Sequence, residues 1–493
     1  MFASGGIRRF VLKGAITSFL AVVAVRIFGL LESVAIGRIL GTIQFGELAL
    51  VLSVTNLVLA VGTLGVPPAL TKFLSGEVSS REAARKSILL ALRTVTTASV
   101  VVGVASGVIV LTLLAPSYPS GGLEPLLALG IFFVTVSAPL TLFGSALQGL
   151  GDVTSLNLRT VLASAIGLSL TVPLALSFGM PGALVGFFAG TALVGVFAIP
   201  VVWRRVNTLS SASGGRVVSL RSILNYGFPT LLSGLTVLFG FYWVNSMMAA
   251  GVGFADLGAF AVALTLANVI PLIPGAVAIP LVPVLSSLSI SDPKRGRSVM
   301  SRIMRLVVFI TVPIVLVAIC FAPEIIRVTY GPGFIEGSQY LSILAVSSLL
   351  TSVTGVVGNL IAASGKMWWS LAINLVWTGI VVLVSSVLIP GLGGTGASAA
   401  LLVGYSILTI VALAVGKLVL GARFGSVAVP AFWAASLVVP ALLVANLSAG
   451  WRVVAGVVLL IVALTSLVFV MDSGERALVK ELPSILSTGK RVS

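Results

Sequence analysis

Phe45-Gly-Glu-Leu-Ala-Leu-Val-Leu-Ser-Val-Thr-Asn56 is matched in pattern by Leu257-Gly-Ala-Phe-Ala-Val-Ala-Leu-Thr-Leu-Ala-Asn268, 212 residues further along the chain. Both are apolar runs that open beside a glycine and close on an asparagine. At the same offset Pro68 meets Pro280 and Arg93 meets Arg305. Further on, the offset becomes 214 and pairs Gly151 with Gly365, Gly182 with Gly396 and Gly190 with Gly404. Runs of Leu, Val, Ala and Gly align with one another by chance. Chance does not also bring Gly, Pro, Asn and Arg into register at almost one offset. The chain reads as a duplication.

Outward from this repeat the whole chain is apolar. Of its 493 residues 58% are hydrophobic and only 9% charged, with a mean hydropathy of +1.20. A soluble domain carries about 25% charged residues, and a disordered chain is poor in apolar ones, so both classes are excluded. The apolar runs are continuous rather than alternating, which argues against an outer-membrane barrel. An all-α integral membrane protein remains. With roughly 20 apolar residues per crossing, about 14 spans are expected, near 14–38, 45–66, 87–114, 125–148, 156–178, 182–203, 223–248, 257–286, 303–322, 339–362, 368–390, 395–419, 426–447 and 452–471. Six spans per repeat is an even number, so the two halves enter the membrane in the same sense, as parallel repeats. The expected organisation is a six-helix lobe over 1–203, a linker over 204–222, a second six-helix lobe over 223–420, two additional spans over 421–471 and a polar tail over 472–493.

Lys and Arg total 29 against 13 Asp and Glu, a net charge of +16. In a soluble protein this balance would suggest nucleic acid, but no basic domain interleaved with aromatics lies outside the spans. The positive-inside rule explains it. With the N-terminus in the cytoplasm, 25 of the 29 basic residues fall at cytoplasmic ends or loops, while the loops 116–124 and 179–182 hold none. The expected setting is the plasma membrane with both termini cytoplasmic. Arg8, Arg9 and Lys13 precede a run of signal-peptide length, yet no small-x-small cleavage site follows, so a retained first helix is expected. One cysteine, Cys320, and no histidine remove intrachain disulfides, Cys/His zinc, His-ligated haem and His-based triads. No metal and no cofactor is expected.

Gly37-Arg-Ile-Leu-Gly-Thr-Ile-Gln-Phe-Gly-Glu-Leu-Ala-Leu50, Ala146-Leu-Gln-Gly-Leu-Gly-Asp152 and Tyr330-Gly-Pro-Gly-Phe334, the last followed by an apolar run to Gly365, resemble turns of the polysaccharide-biosynthesis exporters. These are the lipid-linked oligosaccharide flippases of the multidrug/oligosaccharidyl-lipid/polysaccharide (MOP) exporter superfamily. The resemblance extends over nearly the whole chain and rests on glycine-rich turns rather than reactive groups. It implies two six-helix lobes around a central cavity, alternating access, and transport of a glycan on a polyprenyl (pyro)phosphate from the cytoplasmic to the outer leaflet. It also implies a fold shared with multidrug and toxin extrusion (MATE) antiporters and lipid II flippases, acting as a monomer among membrane lipids.

A charge within a span costs roughly 2.5–3.5 kcal/mol on insertion scales. Arg26 stands near the middle of the first span. Its guanidinium fork matches phosphate oxygens, which makes it the candidate cation for the carrier headgroup; a buried pair with a carboxylate such as Glu47 is the structural alternative. Glu32 reads as a proton or Na+ coupling group, the counter-ion of an arginine, or an interfacial residue. Arg38 and Glu47 flank the outer turn. At the 212 offset Arg26 aligns with Leu238 and Glu32 with Val244, confining this charge to the first repeat. Arg93 and Arg305 either snorkel to inner headgroups or line the mouth where a phosphate enters. Asn56, Asn268, Gln148, Asn245, Asn359 and Asn374 contact sugar hydroxyls or bond helix to helix. Pro67 and Pro68, and Pro271, Pro274, Pro280 and Pro283, are expected to kink the matching second and eighth spans.

A cation-coupled multidrug exporter is the competing reading; it accounts for Glu32 but not for a mid-span arginine that repels cations. A membrane glycosyltransferase needs paired carboxylates or a base, and Glu124, Asp256 and Glu336 have no acidic neighbour in sequence. There is no Walker A sequence. No enzyme activity is expected.

Overall fold

Glycine decides where the long helices of this chain turn. In a computed structural model, residues 5–76, 78, 80–110, 112, 122–210, 217–272, 275, 293–363, 367–420 and 428–471 are described. Helix α1 (Gly5–Thr63) bends at Gly41 (φ 74°, ψ −179°), α5 (Val153–Asn207) at Gly179 (φ 61°, ψ −136°) and α11 (Met367–Leu420) at Gly393 (φ 54°, ψ −133°). These left-handed φ values cost a glycine little and any residue with a Cβ considerably more. Between α1 and α5 lie α2 (Val66–Gly76), α3 (Arg81–Ile109) and α4 (Leu123–Gly149). Between α5 and α11 lie α6 (Leu220–Gly251), α7 (Phe254–Ala267), α8 (Pro293–Cys320), α9 (Ala322–Thr329) and α10 (Gly337–Ala363). Helices α12 (Ala428–Val444) and α13 (Ala449–Val470) follow.

Among the described residues nine helices are long and apolar enough to cross a membrane, and α1, α5 and α11 are each long enough to cross twice. Divided at their kinks and taken with the shorter apolar α7 and α12, they account for the fourteen apolar runs of the sequence. The family-like turns coincide with glycines at positive φ: Gly41, Gly151 (φ 77°) and Gly331 (φ 100°).

The duplication is written into the backbone. Gly179 and Gly393, partners at the 214 offset, have nearly the same dihedral angles. Three residues on, a β-carbon on Gly182 would stand 2.0 Å from the Leu174 carbonyl oxygen, and one on Gly396 2.5 Å from that of Leu388. Leu174 and Leu388 are themselves partners at 214. The 212 offset gives a reciprocal contact. A β-carbon on Gly46 would stand 2.0 Å from the Phe254 oxygen, and one on Gly258 2.0 Å from the Thr42 oxygen. Gly46 pairs with Gly258 and Thr42 with Phe254, so the second half of α1 and α7 cross about a local two-fold axis, backbone against backbone.

Two packing units are distinguished. One comprises Thr17–Ala261 and Asn374–Ala397, the other Met1–Ile16, Val262–Ile373 and Ser398–Ser493. The first contains an apolar core contributed by α2 to α6, including Leu70, Phe73, Ile88, Leu142, Val202 and Ile223. Ser80 caps α3 by accepting from the Ala83 N–H at 3.3 Å, satisfying one of the donors a helix start leaves open. In the second unit α8 packs on α10, α12 and α13. Pro67 and Pro68 do not kink a span. Helix α1 ends at Thr63, Leu64 and Gly65 take positive φ, and the prolines sit in the first turn of α2, where no backbone donor is lost. Pro274, Pro280, Pro283, the tail from Asp472 and the side chains of Arg8, Arg9, Lys13 and Asn359 lie outside the described residues.

The crossing carries a prediction. Gly258→Ala drives a β-carbon into the Thr42 carbonyl and should destabilise the detergent-solubilised protein by about 1–3 kcal/mol, lowering its melting temperature by several degrees. Gly234→Ala, at a helical position with open space around it, should leave the melting temperature unchanged or raise it.

Candidate functional site

The first half of α1 carries the two charges singled out in the sequence, and it is held by polar contacts to α5. The Asn157 Nδ2 donates to Ser18 Oγ at 2.8 Å, and Glu32 Oε1 lies 2.7 Å from Thr171 Oγ1. Both contacts join residues 139 apart, so the two helix halves run parallel in one register. The 14 residues between Ser18 and Glu32 are about four turns, roughly 21 Å of helix. Thr171 is fully buried, and its hydroxyl also lies 2.8 Å from the Gly167 carbonyl oxygen. Gly167 and Gly190 stack the two halves of α5 closely, each β-carbon position about 3 Å from the other's Cα, as small residues do in membrane helix pairs.

Arg26 lies between those two contacts. Its side chain is exposed and makes neither hydrogen bond nor ion pair to another described residue, so it does not form the buried pair with Glu47. Its repeat partner Leu238 is uncharged, and Val244, the partner of Glu32, is fully buried. Arg38, Asn56 and Asn268 are exposed; Glu47 is half-buried. Asn374 bonds helix to helix, donating to Ser233 Oγ at 2.9 Å and to the Ser233 carbonyl at 3.2 Å. Among the described residues no cluster of His, Cys, Asp or Glu could hold a metal ion.

Arg93 and Arg305 are equivalent in sequence and different in surroundings. Arg93 is exposed. Arg305 is only 9% exposed, lies 6.0 Å from the Phe309 ring centroid and donates through Nη2 to the Val470 carbonyl at 3.3 Å, at the C-terminal end of α13. A cation there complements the helix dipole. At the other end of α13, Arg452 Nη2 donates to Glu324 Oε1 of α9 at 2.5 Å. Two arginines therefore clasp α13 near both of its ends. Sequence reading missed this clasp, as it missed Thr171 and the pair Arg205–Asp152 (2.7 Å). Asp152 also caps α5, accepting from the Ser155 N–H. Burial pushes the Asp152 carboxyl up, but hydrogen bonds from Arg205 and Ser155, with the Arg205 charge, outweigh it and hold it below the usual carboxylate range.

A model of the polysaccharide biosynthesis protein family matches residues 35–339, more than half of the chain. The chain belongs to that family. No curated protein sequence matches it. Among solved structures it is similar to the lipid II flippase MurJ in an inward closed conformation, at 13% identity and a TM-score of 0.73, over 94% of this chain and all of that one. It is also similar to an inward-facing multidrug resistance MATE transporter of the MOP superfamily, at 17% identity and a TM-score of 0.64, over 80% of this chain and 94% of that one. A third is a MOP superfamily transporter from Pyrococcus furiosus, whose binding pocket is described as reversed in polarity; there the identity is 16% and the TM-score 0.60, over 83% and 95% of the two chains. This family member thus has the fold that MurJ and the MATE transporters share, and it is a multi-pass membrane protein.

Two outcomes follow from the ion pairs. Arg452→Leu strands the Glu324 carboxylate and should cost on the order of 1–3 kcal/mol; adding Glu324→Leu should recover most of the melting temperature, because an apolar pair replaces an ionic one. For Asp152, a carboxyl held low favours the folded state above its unfolded pKa of about 3.9 and loses that advantage as pH falls through its lower folded value. The gap in melting temperature between wild type and Asp152→Asn should be constant near neutral pH and close below about pH 4.

Proposed function

We propose that this protein carries a polyprenyl (pyro)phosphate-linked glycan from the cytoplasmic to the outer leaflet by alternating access, with both termini in the cytoplasm. Membership of the polysaccharide biosynthesis family carries the reading, and Arg26 gives it a chemical centre. An exposed guanidinium deep in an apolar span has to face a polar cavity, because facing lipid costs several kcal/mol. A phosphate or diphosphate supplies the matching oxygens. Arg38 and Arg93, both exposed, are the further cations for the headgroup, while Asn56 and Asn268 are candidates for sugar hydroxyls. Arg305 is better assigned to holding α13. The lipid II flippase that shares the fold moves a substrate of the same chemical kind.

Glu32 is the proposed coupling group. The Thr171 hydroxyl has one hydrogen and two oxygens in reach, on Glu32 and on Gly167. A protonated Glu32 resolves this: its O–H donates to Thr171 Oγ1, whose own hydrogen goes to the Gly167 carbonyl. On losing the proton Glu32 can only accept, so the Thr171 hydrogen turns from the Gly167 carbonyl to the carboxylate, and the contact between α1 and α5 changes in strength.

The competing reading is a cation-coupled multidrug antiporter, favoured by an acid on α1 and by the MATE likeness. Proteoliposomes holding a fluorescent short-glycan polyprenyl diphosphate separate the two. The flippase reading expects wild-type transfer between leaflets, with Arg26→Ala losing about 2–4 kcal/mol of headgroup binding, roughly 30- to 900-fold. Arg26→Lys should recover part of it, since lysine keeps the charge without the fork. Glu32→Gln should flip carrier without responding to an imposed pH gradient. Unchanged transfer by a well-folded Arg26→Ala protein, or export of cationic dyes with no carrier transfer, sinks the reading.

A further inference from the structure

The first repeat contains a pocket that its sister repeat has closed. It has a volume of about 580 Å³ and lies where the Gly41 and Gly179 kinks meet the start of α4, within the range of small-molecule sites. Gln44 and Glu47 line one side, three residues apart and so on one face of α1. Phe178, a residue 66% exposed, lines another, and Leu126 and Met180, both buried, contribute apolar surface.

The duplication supplies an internal control. At the two offsets Gln44 corresponds to Asp256, Gly179 to Gly393 and Met180 to Gly394. In the second repeat, Asp256 reaches across to the kink of α11: its Oδ2 accepts from the Gly394 N–H at 2.9 Å and occupies the space where a β-carbon on Gly393 would go. That carboxylate closes the gap. In the first repeat, the Gln44 amide makes no hydrogen bond to another described residue, and the space beside Gly179 stays open. Where the second repeat has a kink-bracing aspartate, the first has an unengaged amide, and the space beside Gly179 is open.

Its lining defines what it takes. An amide donates and accepts, a carboxylate accepts, and hydroxyls satisfy both. An aromatic ring covers the C–H face of a pyranose. No Lys or Arg is among the residues that line it, so it offers no cation to the carrier headgroup. We infer that this pocket is a sugar subsite that holds one neutral residue of the transported glycan. The inference rests on the flippase reading for the source of the sugar. Under the positive-inside orientation the Gly41 and Gly179 kinks face outside, so the pocket receives the glycan after the crossing and delays its return. This separates two tasks: Arg26 handles the anionic headgroup, and the pocket handles the uncharged end.

An aromatic at a membrane interface also serves as an anchor, and Phe178→Leu tells the two roles apart by keeping the apolar bulk and removing the ring. The experiment is saturation-transfer NMR on the full-length protein in detergent, with methyl glycosides of glucose, galactose, mannose and N-acetylglucosamine as probes. At least one should bind, Gln44→Ala and Phe178→Leu should each weaken it tenfold or more, and Gly234→Ala should leave it unchanged. No binding by any glycoside, binding indifferent to both pocket variants, or Glu47-dependent uptake of rhodamine 6G in place of sugar overturns the subsite. Carrier transfer is measured after the same protein is reconstituted into proteoliposomes. Transfer without glycoside binding removes the pocket and leaves the flippase, whereas pocket-dependent glycoside binding without carrier transfer keeps the sugar site and removes the flippase.

Discussion

Two carbonyl oxygens, those of Thr42 and Phe254, occupy the places where side chains on Gly258 and Gly46 would otherwise be. Helices in lipid gain nothing by hiding apolar side chains from water, so close backbone approach decides which of them touch. Here that approach is reciprocal, and it joins equivalent points of the two repeats. It fixes the second half of α1 against α7 with no side chain between them. The hairpin bends at Gly179 and Gly393 are copies of each other, and so are the tight contacts at Gly182 and Gly396. A duplicated chain that meets itself at a symmetric glycine crossing has its architecture determined by backbone sterics before any charged residue is considered.

Against that symmetric frame the chemistry is asymmetric. Arg26 and Glu32 correspond to Leu238 and Val244 in the repeat, Gln44 to Asp256, and exposed Arg93 to buried Arg305. Two of these differences have a structural reason in the second copy. Asp256 is a strut for the α11 kink. Arg305 is a clasp for α13, which with α12 packs on α8. Their counterparts in the first copy, Gln44 and Arg93, are exposed.

The spans, the duplication and the positions of the turns were legible in the amino-acid sequence because each is periodic or glycine-marked. Hydrophobic run length locates crossings, and a glycine in a turn leaves a signature at Gly41, Gly151 and Gly331. Partners were not legible. Thr171 is one hydroxyl among many, and it meets Glu32 only because α1 and α5 run in register 139 residues apart. Arg452 and Glu324 are 128 residues apart, and no spacing rule in the sequence pairs them. Arg305 looked like Arg93, since sequence equivalence says nothing of the helices added outside the repeat. Pro67 and Pro68 were misread as kinks because a proline in a helix interior and one in a first turn have the same letter; the positive φ of Leu64 and Gly65, which ends α1 before them, is invisible beforehand.

The position of Arg26 between two tethers bears on how transport and coupling could share one element. Little of the described first half of α1 is buried, and its polar contacts to α5 include Ser18–Asn157 and Glu32–Thr171. Interhelical hydrogen bonds in membranes are worth about 0.6 kcal/mol on average, so a helix held this way moves at small cost. Beyond Gly41 the glycine crossing pins the second half against α7. Gly41 thus divides α1 into a half pinned by that crossing and a half that carries Arg26 and Glu32, the proposed headgroup cation and the proposed coupling acid. On the proposed function, protonation of Glu32 would change one of the two tethers, and carrier binding at Arg26 would act on the helix between them. Both events would then bias the same motion, which is all that linkage between two ligands requires. No relay of intermediate residues would have to connect proton and glycan, because both would act on one helix.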